Sequence, residues 1–202
     1  KNDFEQALPD IWEAMDQPTV DGINTYFIAE AARKAGLKTV LSGLGADEIF
    51  MGYPSFKRAS IFRRLQGAAS IWGFRKLLEF TKPITLGLLP DRYAKLEYLH
   101  SPDSLRFYLA LRGLFIPSEA ARILNISEKE VNDFIDGLAA TYKLNDATLQ
   151  QLEPSSLLSF LELKFYLQNQ LLKDSDFMAM HHSIEIRVPF LDHPLVEYVS
   201  LI

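Results

Sequence analysis

Apolar positions recur three and four residues apart along most of this 202-residue chain, and one short run breaks that rhythm. Ile23, Phe27, Ile28, Ala31, Ala32 and Ala35 follow the helical period. Gly22–Ala35 is therefore predicted to be an amphipathic helix, capped by Asp21 and ended by Gly36. Lys38–Ser42 (KTVLS) follows at once, and its continuous apolar centre predicts a buried strand. Ahead of both, Asp3–Met15 is weakly helical, and Pro9 predicts a break into two short pieces. Gln17–Val20 reads as extended.

Beyond Tyr53 the pattern is almost wholly helical. Helices are predicted over Pro54–Gly67 and Ser70–Phe80, then a loop over Thr81–Leu89, which holds Pro83 and Gly87. Short helices follow over Asp91–Leu99, Pro102–Leu111 and Ser118–Leu124. Ser127 and Glu130 form a capping box for Glu128–Tyr142. After Asp146–Leu152, Ser155 or Ser156 caps a long helix through Leu172, with Leu157, Leu158, Leu161, Phe165 and Leu172 on its core face. Lys173–Asp192 then mixes polar and apolar residues and reads as a connection with an extended step at Val188-Pro189. Asp192 caps a last helix.

A helix followed after two residues by a buried strand is half of a βαβ unit, so the fold class is α/β, with this chain predominantly α-helical around one clear parallel-sheet strand. One strand makes no sheet. Its partners are expected to lie outside the sequence, and the chain, spanning 1–202, is expected to be one partial domain of a longer protein. An uncovered strand edge and apolar cut ends predict self-association, such as a homodimer, or a partly disordered N-terminal half.

Composition narrows the function. A formal net charge of −5 argues against a nucleic-acid partner, and the densest basic stretch (Arg58, Arg63, Arg64, Arg75, Lys76) reads as a solvated helix face. No apolar run is long enough for a membrane span. The absence of cysteine excludes a disulfide frame and a thiol nucleophile in this chain, and fits a cytoplasmic protein.

The chemistry concentrates in Ser42–Tyr53 (SGLGADEIFMGY). A strand end, two glycines and two acids opening a helix make a corner at which a nucleotide's phosphates can approach the backbone. Asp47 meets a phosphate only through a magnesium ion. The alternative is a sharp turn whose acids simply favour a helix N-terminus.

Three blocks, Asp21–Thr25 (DGINT), Ser42–Tyr53 and Glu185–Asp192 (EIRVPFLD), together resemble the synthetase domain of the glutamine-hydrolysing asparagine synthase family. The resemblance runs from about Pro18 to the end and is loosest over Phe56–Ser155. It implies an adenine nucleotide α-hydrolase-like fold of the ATP pyrophosphatase type. It also implies ATP and Mg2+, conversion of the aspartate side chain to an acyl-adenylate, and attack by ammonia to give asparagine. In that family an N-terminal glutaminase domain supplies the ammonia from glutamine. Carried over by position, Ser42, Gly43, Leu44 and Gly45 would lie against ATP, and Asp47 would hold magnesium.

Several parts of that family's pattern are absent. The Ser-Gly-Gly-x-Asp-Ser pyrophosphate loop, its accompanying carboxylate, a later lysine and the glutaminase domain are not in this sequence. The isolated chain is therefore expected to be inactive. Leu44 stands where several asparagine synthases carry glutamate and a related β-lactam-forming enzyme carries tyrosine, which leaves room for another carboxylate as acceptor. A non-catalytic helical interaction module is the reading from a different class.

Other candidates have plainer readings. Asp176, near the family's active-site wall, reads either as a substrate contact or as a buried partner of Arg187; Asp174 lies beside it. Glu185 and Arg187 share a side of an extended segment and are expected to brace it. His181-His182 is not a metal pair, because helical neighbours face apart. Tyr53 is expected to pack against the turn rather than react, Met178 and Met180 to lie in the core or line a pocket, and Trp12 and Trp72 to be core residues or contacts for parts outside the sequence.

Overall fold

A computed structural model describes residues 2–19, 21–69, 95, 98, 103–144 and 147–200. The predicted helix Ser70–Phe80, the loop Thr81–Leu89, most of Asp91–Leu99, Trp72, Arg75 and Lys76 lie outside the described residues. The fold is α/β: mostly helical, with a two-stranded parallel sheet among the described residues. No described helix is long and apolar enough to cross a membrane. The chain divides into two compact units, Lys1–Gly52 with Ser159–Ile202, and Tyr53–Leu158.

In the first unit, α1 (Asn2–Ala14), α2 (Asp21–Lys34), β1 (Thr39–Leu41) and α3 (Ala46–Ile49) are followed, after the second unit, by the C-terminal elements. These are a π-helical segment, Glu162–Leu171, then α10 (Leu172–His181), β2 (Glu185–Arg187), a 3-10 turn (Pro189–Leu191) and α11 (His193–Val199). Small residues let α2 approach α10 closely: Ala29, Ala32 and Ala179 pack with Ile184, and Val40 and Ile186 cover them from the strands. A second cluster joins Ile11 of α1, Tyr26 and Met178. Met178 therefore packs as expected, whereas Met180 and Trp12 are exposed.

Five expectations are corrected here. The sheet partner of β1 lies within the chain: β1 pairs in parallel with β2, in the register Thr39↔Glu185, Val40↔Ile186 and Leu41↔Arg187. β2 escapes detection because three residues alternating polar, apolar, polar carry no buried-strand signal. Val40 and Ile186 supply the buried face, and Leu41 is 73% exposed. Second, α1 runs unbroken through Pro9. An interior proline costs a helix about 3 kcal/mol, and burial of Ile11 against Tyr26 and Met178 offsets this. Third, Thr19 rather than Asp21 caps α2, its Oγ1 accepting from Gly22 N at 3.0 Å, while Asp21 Oδ2 accepts from Tyr166 Oη at 2.7 Å. Fourth, Lys173–His181 is helix, not connection. Fifth, Glu185 and Arg187 pair with each other at 2.9 Å on the exposed side of β2, so among the described residues neither side chain braces the segment against a helix and Arg187 takes no partner from Asp176.

At the end of α10, His181 and His182 pack against Tyr26, His181 tilted with its ring centroid 5.6 Å away and His182 edge-on at 4.4 Å. His182 Nε2 is buried with no hydrogen-bond partner among the described residues. Burial pushes the His182 imidazole below its ordinary 6.5, and His181 lowers it further; Glu30 pulls it back up, Lys34 down and Asp10 up, without reversing the direction. The folded state thus disfavours the charged ring. Its stabilising contribution is complete above the unfolded value near 6.5 and is lost as the pH falls from there towards the lower folded value. Denaturant midpoints measured from about pH 7.5 to about pH 5 should fall less steeply for His182→Phe than for the parent protein. Parallel curves would refute this.

The second unit holds α4 (Pro54–Ala69), α5 (Ser104–Arg112), α6 (Pro117–Leu124), α7 (Glu128–Thr141), α8 (Ala147–Gln151) and most of α9 (Pro154–Leu161). The predicted capping box opens α7: Ser127 N donates to Glu130 Oε2 at 2.8 Å and Glu130 N to Ser127 Oγ at 3.2 Å. Arg106, buried on α5, donates to Asp103 at 2.9 Å, Asp136 at 2.6 Å and Asn132 at 3.1 Å, tying α5 to α7. Tyr53 stacks on Phe56, and the Arg112 guanidinium lies 4.7 Å from the centre of its ring.

Candidate functional site

The corner begins where β1 ends. Ser42 continues the pairing, its N–H donating to Arg187 O at 2.8 Å, and its Oγ accepts from Leu44 N at 3.3 Å. Gly43 then turns the chain. A Cβ at Gly43 would meet nothing within 4 Å, so the space over this backbone is open to an incoming group. Leu44 is half-buried and offers only an apolar surface.

Gly45 is required for two reasons. Its φ of +91° is the left-handed conformation that glycine adopts freely. A Cβ there would also run into Leu191 Cδ2 and stand 2.9 Å from Leu191 Cγ. The Val188–Asp192 turn thus seats directly on the glycine, which joins two sequence blocks that are far apart in the chain. Phe50 meets Phe190 edge-on at 6.0 Å on the same contact.

The two adjacent acids diverge. Asp47 is exposed, and its carboxylate has no hydrogen bond or ion pair among the described residues. Glu48 is 1% exposed and faces inward on α3, which packs against the π-helical segment carrying the equally buried Glu162. Ser159 Oγ holds this helix by donating to Glu48 O at 2.7 Å. Sequence patterning misses Glu162; its one signal is an acid placed within an otherwise apolar helical stretch.

A metal cage is not what the corner offers. Among the described residues no three His, Asp or Glu side chains gather as a metal site. One exposed, uncommitted carboxylate beside open backbone instead matches the donor set of magnesium, which is carried in on phosphates and keeps most of its waters.

The remaining candidates separate likewise. Asp176 is exposed on α10 and makes no hydrogen bond or ion pair among the described residues. Its neighbour Asp174, 3% exposed, is the hub: it accepts from Gln17 Nε2 at 3.1 Å, from Gln170 Nε2 at 2.7 Å and from Thr19 Oγ1. These bonds lash the Gln17–Thr19 segment, and with it the start of α2, to the long C-terminal helix.

Comparison with known proteins matches the whole chain, residues 1–202, to the family model described as asparagine synthase. A putative asparagine synthetase [glutamine-hydrolyzing] of Mycobacterium tuberculosis is 27% identical over 95% of this chain and 28% of its own length. Asparagine synthetase [glutamine-hydrolyzing] 1 of Bacillus subtilis is 26% identical over 99% of this chain and 30% of its own. Amidase chyE of Penicillium rubens is 28% identical over 98% and 30%. The chain thus spans less than a third of the length of these relatives. No solved structure matches.

Proposed function

The chain belongs to the asparagine synthase family, and from that premise we propose that it forms part of an ATP-dependent asparagine synthase. The proposed core is of the adenine nucleotide α-hydrolase-like, ATP pyrophosphatase type. The reaction would join AMP to the aspartate side-chain carboxylate with loss of pyrophosphate, and ammonia from glutamine, released by a glutaminase domain, would displace AMP to give asparagine.

The observation that carries this reading is the corner itself. Gly43 leaves open backbone at a strand's C-terminal end, beside an Asp47 carboxylate with no partner among the described residues. Ser42 fixes the loop by accepting from Leu44 N. Gly45 lets the turn close on Leu191. Asp47 is the residue that would hold magnesium. When bound with the triphosphate, that ion would neutralise charge building on the leaving pyrophosphate.

Leu44 supports a second reading, an amide ligase acting on another carboxylate, because leucine neither accepts a proton nor hydrogen-bonds. Two of the similar proteins, Amidase chry2 and Amidase chyE, carry names other than asparagine synthetase. Release of AMP by the full-length protein, with ATP, glutamine and a panel of carboxylates, separates the readings. The first expects AMP and asparagine from aspartate. AMP with another acid and none with aspartate would transfer the proposal to the second reading. No AMP with any acid would leave a non-catalytic module.

A further inference from the structure

α3 ends in an unusual way. Phe50 N donates to Ala46 O at 2.8 Å, and Gly52 N reaches five residues back to Asp47 O at 2.9 Å. This is the hydrogen-bond pattern of a helix stop in which glycine normally takes the left-handed position. Here that position is Met51, with φ +59°. The glycine stands one residue later, and Gly52 is not among the glycines with positive φ. Backbone conformation therefore does not explain it.

Space does. A Cβ on Gly52 would land on Asp47 Oδ1, 2.9 Å from Asp47 Cγ and 3.3 Å from Asp47 Cα. The carboxylate fills the volume that any side chain at position 52 would take. No hydrogen bond or ion pair among the described residues orients that carboxylate, so the bare backbone of Gly52 is what it rests on. Taking Asp47 as the magnesium-holding group proposed above, we propose that Gly52 is a positioning residue that sets where this carboxylate points. Any larger residue would turn Asp47 into another rotamer. A new rotamer relieves the Oδ1 and Cγ contacts, and the remaining 3.3 Å approach to Asp47 Cα asks for a shift of only a few tenths of an ångström, so metal affinity should fall while the fold persists.

The test uses the full-length protein, Mn2+ as the probe and a non-hydrolysable ATP analogue, with free Mn2+ read by electron paramagnetic resonance. Gly52→Ala should bind Mn2+ roughly tenfold more weakly, the scale on which groups supporting a metal ligand act, and should keep its unfolding transition. Gly36→Ala serves as the comparison. It strains another helix end, at φ +78° with nothing within 4 Å, and should leave Mn2+ affinity unchanged. Asp47→Glu keeps the charge but does not fit the slot, and should lose a similar roughly tenfold. It also decides the matter if Gly52→Ala does not fold. Parent-like Mn2+ affinity in Gly52→Ala or Asp47→Glu, with weakened binding in Asp47→Ala, overturns the positioning role and leaves the metal reading standing. Parent-like affinity in Asp47→Ala overturns both.

Discussion

Asp174→Ala should destabilise the intact protein by about 3 kcal/mol, measured as a fall in the denaturant midpoint with unchanged slope. The carboxylate is 3% exposed and takes three side-chain donors: Gln17 Nε2, Thr19 Oγ1 and Gln170 Nε2. Truncation takes away the acceptor of the Thr19 hydroxyl, while Gln17 Nε2 and Gln170 Nε2 lose a charged acceptor and keep Asn169 O and Pro18 O; a buried donor left without an acceptor costs about 1–3 kcal/mol. Thr19 is also the cap of α2 through Gly22 N, so loosening it should speed amide exchange at Gly22 before it affects the rest of the helix. Asp174→Asn should lose less, since one oxygen still accepts, although its amide then faces donors. A loss below about 1 kcal/mol for Asp174→Ala would show that solvent replaces the carboxylate and that the network supports little.

Asp174 is one of two neighbouring acids that the sequence leaves side by side. Asp174 and Asp176 are both acids just beyond a long apolar helix, and the family resemblance offers Asp176 either as a substrate contact or as a partner of Arg187. The structure separates them, because two residues along a helix face nearly opposite ways: Asp174 faces Gln17 and Thr19, and Asp176 is exposed. Signals that are local in the chain are legible in advance. The Ser127–Glu130 box forms as predicted, and Gly36 ends α2 with φ +78°. Ser42–Asp47 is contiguous, so its residues sit together at the end of β1 as any reading of the stretch requires. What is not legible depends on distant partners. β2 becomes a strand because Lys38–Ser42 lies beside it, Glu48 separates from Asp47 because α3 has the π-helical segment on one side, and the π segment has no pattern of its own to announce it. Gly45 and Gly52 look alike in sequence. One is needed for left-handed backbone against Leu191, the other for the space taken by Asp47.

Asp47→Asn should lower kcat/KM for AMP release by the full-length protein at least about 100-fold, roughly 2.7 kcal/mol of transition-state stabilisation. The amide has the shape of the carboxylate and lacks only its charge, so the substitution isolates electrostatics from packing. Asp47 is exposed and without an ion pair among the described residues, so its charge adds little to the fold beyond its place in the first turn of α3, and the unfolding free energy should stay within about 0.5 kcal/mol of the parent. The two measurements decide together. A structural acid would change stability and activity in step. A carboxylate that holds magnesium against the departing pyrophosphate would change activity alone, and most of the loss should return as Mg2+ is raised if the amide oxygen still binds the ion weakly. Full activity in Asp47→Asn would remove the metal role from the corner and leave Ser42 and Gly43 as a turn whose open face serves no phosphate.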